Sequence, residues 1–253
     1  MNRISRRKLI TTALVSAGGA AGLGASGIIA RRRGLIPPDG GGIWGPGETL
    51  TYAAQRLLTQ HSLAREFTRA QISKPPFANE VYPLGDQFKK LQDASFIDWR
   101  LAVDGMVGNP TSFSLSDLHG MPMRSHITIL ACEEGWSYIA EWIGVPLSHV
   151  LHLAETLPQA CYVVYRSFQD PDWWESIDMA DALHPQTLLT LGMNSSELPV
   201  PFGGPLRMRV PRQLGYKSVK YITRLTVTDS LKQFGKGLGS SSPEAGYAWY
   251  AGI

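Results

Sequence analysis

Apolar and polar positions change rhythm several times along the chain. From Thr12 to Ala30 the apolar residues Leu14, Val15, Leu23, Ile28 and Ile29 are interrupted by Gly18, Gly19, Gly22, Gly24 and Gly27. That stretch is long enough to span a bilayer, yet weakly apolar for a permanent helix. Residues 34–48 (GLIPPDGGGIWGPGE) lose all periodicity and read as a linker. Leu50, Ala53, Ala54, Leu57 and Leu58 then recur at helical spacing and predict a helix over residues 50–67. Residues 72–86 hold three prolines and read as an extended arm. From Phe96 the rhythm shortens. Trp99–Val103 alternates and turns at Asp104-Gly105. His126–Ala131, Cys161–Arg166, Thr187–Leu191, Leu206–Val210 and Val219–Val227 read as further strands. Ser114-Leu115-Ser116-Asp117 opens a helix, and Pro146–Ala154 forms another with Pro in its first turn. Strands and helices do not alternate regularly, so the pattern predicts an α+β fold, with a mixed sheet, short helices and long loops, rather than a doubly wound sheet. No internal repeat is visible. The boundaries fall at residues 1–33 (leader), 34–95 (linker, helix and extended arm) and 96–253 (main domain).

Composition adds limits. A chain of 253 residues, 43% hydrophobic and 18% charged, can bury one substantial core without staples. The net charge of +3 belongs to the leader. Residues 1–33 carry Arg3, Arg6, Arg7, Lys8, Arg31, Arg32 and Arg33 and no acid, and removing these seven from the 24 basic residues leaves 17 against 21 acidic ones. The main domain therefore has no basic stripe for nucleic acid. Ser5-Arg6-Arg7-Lys8-Leu9 resembles the twin-arginine export signal, which places the mature protein in the periplasm. An uncleaved membrane anchor is the alternative, since no Ala-x-Ala site stands out, although Arg31–Arg33 would then lie on the outer side, against the positive-inside tendency. The twin-arginine route carries folded proteins, often with a cofactor already inserted. The two cysteines, Cys132 and Cys161, form neither a disulfide framework nor a haem-attachment or cluster motif. Any redox chemistry must therefore exchange electrons with a separate partner.

The segment from His126 to Val150 (HITILACEEGWSYIAEWIGVPLSHV) concentrates the chemistry. Cys132 sits where a predicted strand ends, followed by Glu133, Glu134, Gly135 and Trp136. A thiolate is a soft, strongly donating metal ligand, and a strand exit is a rigid mount for one. A lone cysteine in such a place is more often an inert buried thiol. Its surroundings shift the balance. Cys132, Glu134, Gly135, Trp136 and Ser137, then Trp142, Gly144, Val145, Pro146 and Leu147, resemble the molybdenum-ligand segment of the sulfite-oxidase family of molybdopterin-binding oxidoreductases. The Cys-x-Glu-x-Trp-Ser form is closest to the periplasmic methionine-sulfoxide reductase catalytic subunits. The Ala-Gly-Asn-Arg-Arg run that usually follows the cysteine in sulfite oxidases proper is not present.

A second segment supports the first. Gly203-Gly204-Pro205-Leu206-Arg207 leads through Pro211 to Gly215-Tyr216-Lys217-Ser218-Val219-Lys220. Backbone N–H groups of a tight turn with fixed cations suit a phosphate. The resemblance assigns Arg207, Ser218, Val219 and Lys220 to the pterin and its phosphate. It extends less fully to Asn79 and Tyr82, where Pro83 replaces the family's Glu, and to Ser167, which stands where the reductases have a pterin-binding Thr. Phe202 replaces the usual Asn or His ahead of the Gly-x-Pro-x-Arg run.

The resemblance covers roughly residues 96–229. It implies the sulfite-oxidase-type fold, one molybdopterin, and a molybdenum bound by Cys132. It also implies oxygen-atom transfer on a small S-oxide or related oxo substrate. Glu134 is then a catalytic proton relay, and a membrane haem protein or cytochrome exchanges the electrons. Two alternatives stay open: a sulfite-oxidising dehydrogenase, and a cofactor- or partner-binding module without turnover. The histidines show no metal-ligand spacing, and Cys161 reads as a buried thiol in mid-strand. Trp173-Trp174-Glu175 reads as a loop that either walls the substrate pocket or caps the core.

Overall fold

Short apolar runs with few helix caps between them fold as sheets. The computed structural model describes residues 34–40, 45–79, 84–168 and 173–253. In chain order its elements begin with α1 (Gly45–Leu58), α2 (Gly85–Asp93), β1 (Arg100–Gly105), β2 (Thr111–Ser114), α3 (Leu115–His119), β3 (Arg124–Ala131) and β4 (Ser137–Pro146). There follow α4 (Leu147–Leu153), β5 (Tyr162–Ser167), β6 (Trp174–Asp178), α5 (Met179–Ala182), β7 (Leu188–Met193) and β8 (Ser196–Glu197). The set ends with β9 (Arg207–Arg209), β10 (Ile222–Thr228) and α6 (Ser241–Glu244). The leader, residues 1–33, lies outside the described residues, and so does Tyr82.

One sheet runs β2-β1-β10-β5-β6, with β1 and β10 parallel and its other pairs antiparallel. The other runs β3-β4-β7-β8, with β9 added on β7. The main core includes Leu101, Val103, Leu147, Leu151, Val163, Ile177, Leu189, Met208 and Leu225, contributed by both sheets and α4. Each such side chain stabilises the fold by roughly 1.5–3 kcal/mol through burial.

Several sequence expectations are corrected here. Helix α1 starts five residues earlier than the apolar spacing predicts and ends at Leu58 rather than continuing to residue 67. The residues that carried that spacing face solvent, with Leu50, Leu57 and Leu58 exposed by 67–80%. Its buried face is Glu48, Tyr52 and Arg56. Arg56 reaches Asp178 at 2.7 Å and Asp181 at 2.8 Å, and Tyr52 donates to Asp178 at 2.8 Å. The helix is thus fixed by charge and by aromatic rings, Tyr52 packing on Trp249 and Tyr250. The predicted arm also ends early, because Gly85 opens α2. Trp174 and Glu175 belong to the fully buried strand β6 and not to a loop. Cys161 precedes β5, is exposed, and is free, as is Cys132.

Candidate functional site

Strand β3 pairs with β4 over eight residues, from Arg124↔Gly144 to Ala131↔Ser137, so the five residues 132–136 form a hairpin loop. Cys132 N–H donates to the Trp136 carbonyl at 2.9 Å and Gly135 N–H to the Cys132 carbonyl at 3.1 Å. Gly135, at φ +90°, makes this tight return. Cys132 is thereby held at a strand end, half-buried, with its thiol donating to Glu133 Oε2 at 2.9 Å. Burial first, and this carboxylate second, push the thiol up to about 12. Glu134 lies next to it, with Oε2 3.9 Å from Sγ and accepting from the Trp136 indole at 2.6 Å.

The second segment meets the first in space. A short 3-10 turn, Gly215–Lys217, lies directly against Cys132, for a Cβ added at Gly215 would stand 3.3 Å from the Ala131 carbonyl and 3.4 Å from Cys132 Cβ. The turn is anchored from both sides. Lys217, wholly buried, pairs with Glu175 at 2.7 Å and donates to the Ser176 carbonyl at 3.1 Å. A strap formed by residues 247–253 holds the other side. Tyr216 OH donates to the Ala248 carbonyl at 2.7 Å, Leu214 N–H to Ala251 at 3.0 Å, and Ile253 N–H to Arg212 at 3.0 Å.

Beyond the turn, Ser218 Oγ accepts from Val210 N–H at 3.2 Å. Lys220 Nζ donates to the carbonyls of Asn79 and of Pro201, the latter at 2.8 Å. Arg207, on β9, donates to the Phe202 carbonyl at 2.9 Å and keeps a buried Nε with no partner. Phe202, where the family usually has a polar residue, packs its ring on Tyr138 and contributes only that carbonyl.

Of the residues predicted from sequence, Asn79, Cys132, Glu134, Arg207, Ser218, Val219 and Lys220 line one cavity of about 260 Å³. Ser167 is not on its wall. It is buried at the end of β5, paired with Ile222. Glu133, Trp136, Trp173, Gly215, Tyr216 and Tyr221 complete the lining, and Trp173 therefore walls the cavity. Behind the wall, Trp142 of the cysteine segment forms a buried layer with Tyr138 and Arg209, two residues that sequence reasoning missed. The one available signal was Arg207 and Arg209 two apart, on the same face of a strand.

The model of the oxidoreductase molybdopterin binding domain matches residues 89–234. The chain belongs to that family. It is 37% identical over 196 residues to an Azospira oryzae chain, YedZ1, whose name places it in a protein-methionine-sulfoxide reductase, covering 78% of this chain and 70% of that one. It is 36% identical over 145 residues to the protein-methionine-sulfoxide reductase catalytic subunit MsrP of Ralstonia nicotianae, covering 52% and 44%. Among solved structures, the sulfane dehydrogenase SoxCD of Paracoccus pantotrophus superimposes with a TM-score of 0.51 at 24% identity, over 53% of this chain and 39% of that one. That likeness carries the sulfite-oxidase-like fold.

The cavity fits a molybdopterin. Among the described residues no group of three or more His, Cys, Asp or Glu could hold a bare ion, so a metal at Cys132 has to bring most of its donors with it. A pterin-chelated molybdenum does so and leaves one position for a soft thiolate. Arg207, Lys220 and the turn at Gly215 offer what a phosphate needs. The orphaned Arg207 Nε is a buried donor with no acceptor inside the protein.

Proposed function

We propose that this chain is the catalytic subunit of an exported, periplasmic oxidoreductase that reduces a sulfoxide, with electrons supplied by a separate partner in or near the membrane. The observation that carries this reading is the convergence of Cys132, Glu134 and Arg207 on one cavity, in a chain similar to two proteins named for methionine-sulfoxide reduction. The Arg6-Arg7 leader supports export. Among the described residues no helix is long and apolar enough to cross a membrane.

When bound, the molybdenum supplies the two-electron oxygen-atom chemistry. The protein supplies position and protons. Cys132 would hold the metal, while Asn79, Arg207, Ser218, Val219 and Lys220 would hold the pterin and its phosphate. To act as a thiolate, Cys132 would have to give up its proton, and Glu133 Oε2, 2.9 Å from Sγ, is the group placed to take it. Reducing a sulfoxide to a sulfide and water consumes two electrons and two protons. Glu134, fixed by the Trp136 indole at the cavity wall, is the group placed to hold one of those protons. Trp136 and Trp173 give the lining apolar faces that suit the carbon substituents of a sulfoxide.

The test is metal and pterin analysis of protein matured in a molybdopterin-competent host, with sulfoxide turnover by reduced methyl viologen. Wild type should carry molybdenum and turn over, and Cys132→Ser should lose both. Equal, near-zero molybdenum in the two proteins would reject the reading. Turnover of sulfite but not of sulfoxide would reverse the assigned direction.

A further inference from the structure

Arg207 lines the cavity and Arg209 is buried next to it, and neither guanidinium meets a carboxylate, Glu133 and Glu134 lying elsewhere on the lining. Arg207 and Arg209 leave β9 on one face, and each guanidinium stands 5.4 Å from the ring centroid of Trp142. Arg207 is 3% exposed and Arg209 1%. Arg209 donates to Thr128 Oγ1 at 3.1 Å, to the Ile129 carbonyl, and to Ser218 Oγ at 3.4 Å. All of these acceptors are neutral, as is the Phe202 carbonyl that Arg207 reaches. Among the described residues no carboxylate pairs with either arginine, and both Nε atoms are buried without a partner. Elsewhere this protein balances its buried cations, Arg56 with Asp178 and Asp181, Lys217 with Glu175. Burial and then the neighbouring Arg207 pull Arg209 down to about 9.

Two adjacent buried charges of one sign are costly unless something negative completes them. The nearest open space is the cavity on which Arg207 lies. We propose that Arg209 is a positioning residue for the anionic cofactor, a concealed second cation whose charge is balanced only when a phosphate-bearing pterin sits against Arg207, Ser218 and Lys220. Arg209 does not line the cavity. It acts through the groups that do. Its fork ties Thr128 and Ile129, on the strand that ends at Cys132, to Ser218 on the anion-binding segment. The metal mount and the phosphate mount are thereby kept in one register. This inference rests on the molybdopterin reading of the cavity.

The experiment compares wild type, Arg209→Gln and Arg209→Lys, each as apo and loaded protein. It reads the apo melting temperature and the molybdenum and pterin retained after dilution. Arg209→Gln keeps an amide donor but removes the charge. Its apo form should melt at or above wild type, while cofactor retention falls about tenfold. Arg209→Lys keeps the charge and should retain more cofactor than Arg209→Gln. A structural arginine would behave in the opposite way. An apo Arg209→Gln that melts below wild type overturns the proposal, and so does wild-type retention in that variant. Wild type that takes up no molybdenum overturns the cofactor reading and this inference with it, a result identified by the wild-type control alone.

Discussion

Replacing Lys217 by methionine tests whether the Gly215–Lys217 turn is held by a buried ion pair. Both side chains of the Lys217–Glu175 pair are 0% exposed, and their contact is 2.7 Å. Lys217→Met leaves Glu175 buried with its charge uncompensated, retaining only the Ser242 N–H at 3.0 Å. Breaking a buried pair on one side costs about 3–5 kcal/mol. For a domain of this size that corresponds to a melting point lower by about 6–20 °C. Adding Glu175→Gln removes the stranded charge while keeping an acceptor for Ser242. The double variant should recover at least about half of the loss, because the penalty lies in the unpaired charge more than in the missing contact. The assay is urea unfolding of the apo proteins, with molybdenum retention measured in parallel. Retention should fall in Lys217→Met, since the Lys217 carbonyl also accepts Tyr165 OH at 2.8 Å and Ser218 is the next residue. A loss below about 1 kcal/mol, or a double variant no more stable than the single one, would refute the reasoning.

Other outcomes follow from the same geometry. With its thiol pushed up to about 12, Cys132 should alkylate after the exposed Cys161 when apo protein meets iodoacetamide at mild alkaline pH, as read by peptide mass mapping; faster labelling at Cys132 would contradict the burial argument. Because the folded chain holds this proton more tightly than the unfolded chain, the thiol's contribution to stability is whole below about pH 8.5 and is lost as pH rises toward 12. Glu133→Gln, which removes the second cause of the shift, should make that loss smaller and end it at a lower pH. Gly144→Ala would place a Cβ 2.1 Å from the Leu189 carbonyl and 2.7 Å from Thr190 Cα, backbone that cannot step aside, and should cost about 1–3 kcal/mol in urea unfolding; an unchanged midpoint would show that β4 and β7 can separate freely. Ser114→Ala removes the Oγ that accepts Asp117 N–H at 3.1 Å, and should cost about 1 kcal/mol. Hydrogen exchange should quicken in α3 while molybdenum content stays at the wild-type level.

What could be read from sequence was local. Strand β3 announced itself through β-branched alternation and ended where Cys132 was expected. The capping box at Ser114 is complete, with Asp117 Oδ2 accepting Ser114 N–H at 2.8 Å. The cysteine loop and the Gly215 turn were legible because each is a short run of chemically unusual residues. The failures share a cause: partners far away in the chain. Strand β6 looks polar, yet Glu175 finds Lys217 and Asp178 finds Arg56, 122 residues away. Strand β4 went unrecognised because Glu141 interrupts its apolar run, and Glu141 is buried only because Arg69, Ser125 and Ser195 surround it. The leucines of α1 imitate a core stripe, while a buried arginine does the anchoring. Arg209 was invisible for a related reason. Nothing in a sequence says that a strand arginine will lack a carboxylate.

The strap over the Gly215 turn also sets an order of events. Residues 212–216 are braced by residues 247–253, which leave the ribosome some thirty residues after them. Until those residues have emerged, the turn has only one of its two supports, and Tyr52 of α1 has neither Trp249 nor Tyr250 to pack against. The pocket beside Cys132 therefore closes late, after both of its own sequence segments have been translated. Cofactor insertion is expected to follow the emergence of residues 247–253, and a pulse of newly made chains should gain protease resistance before it gains molybdenum.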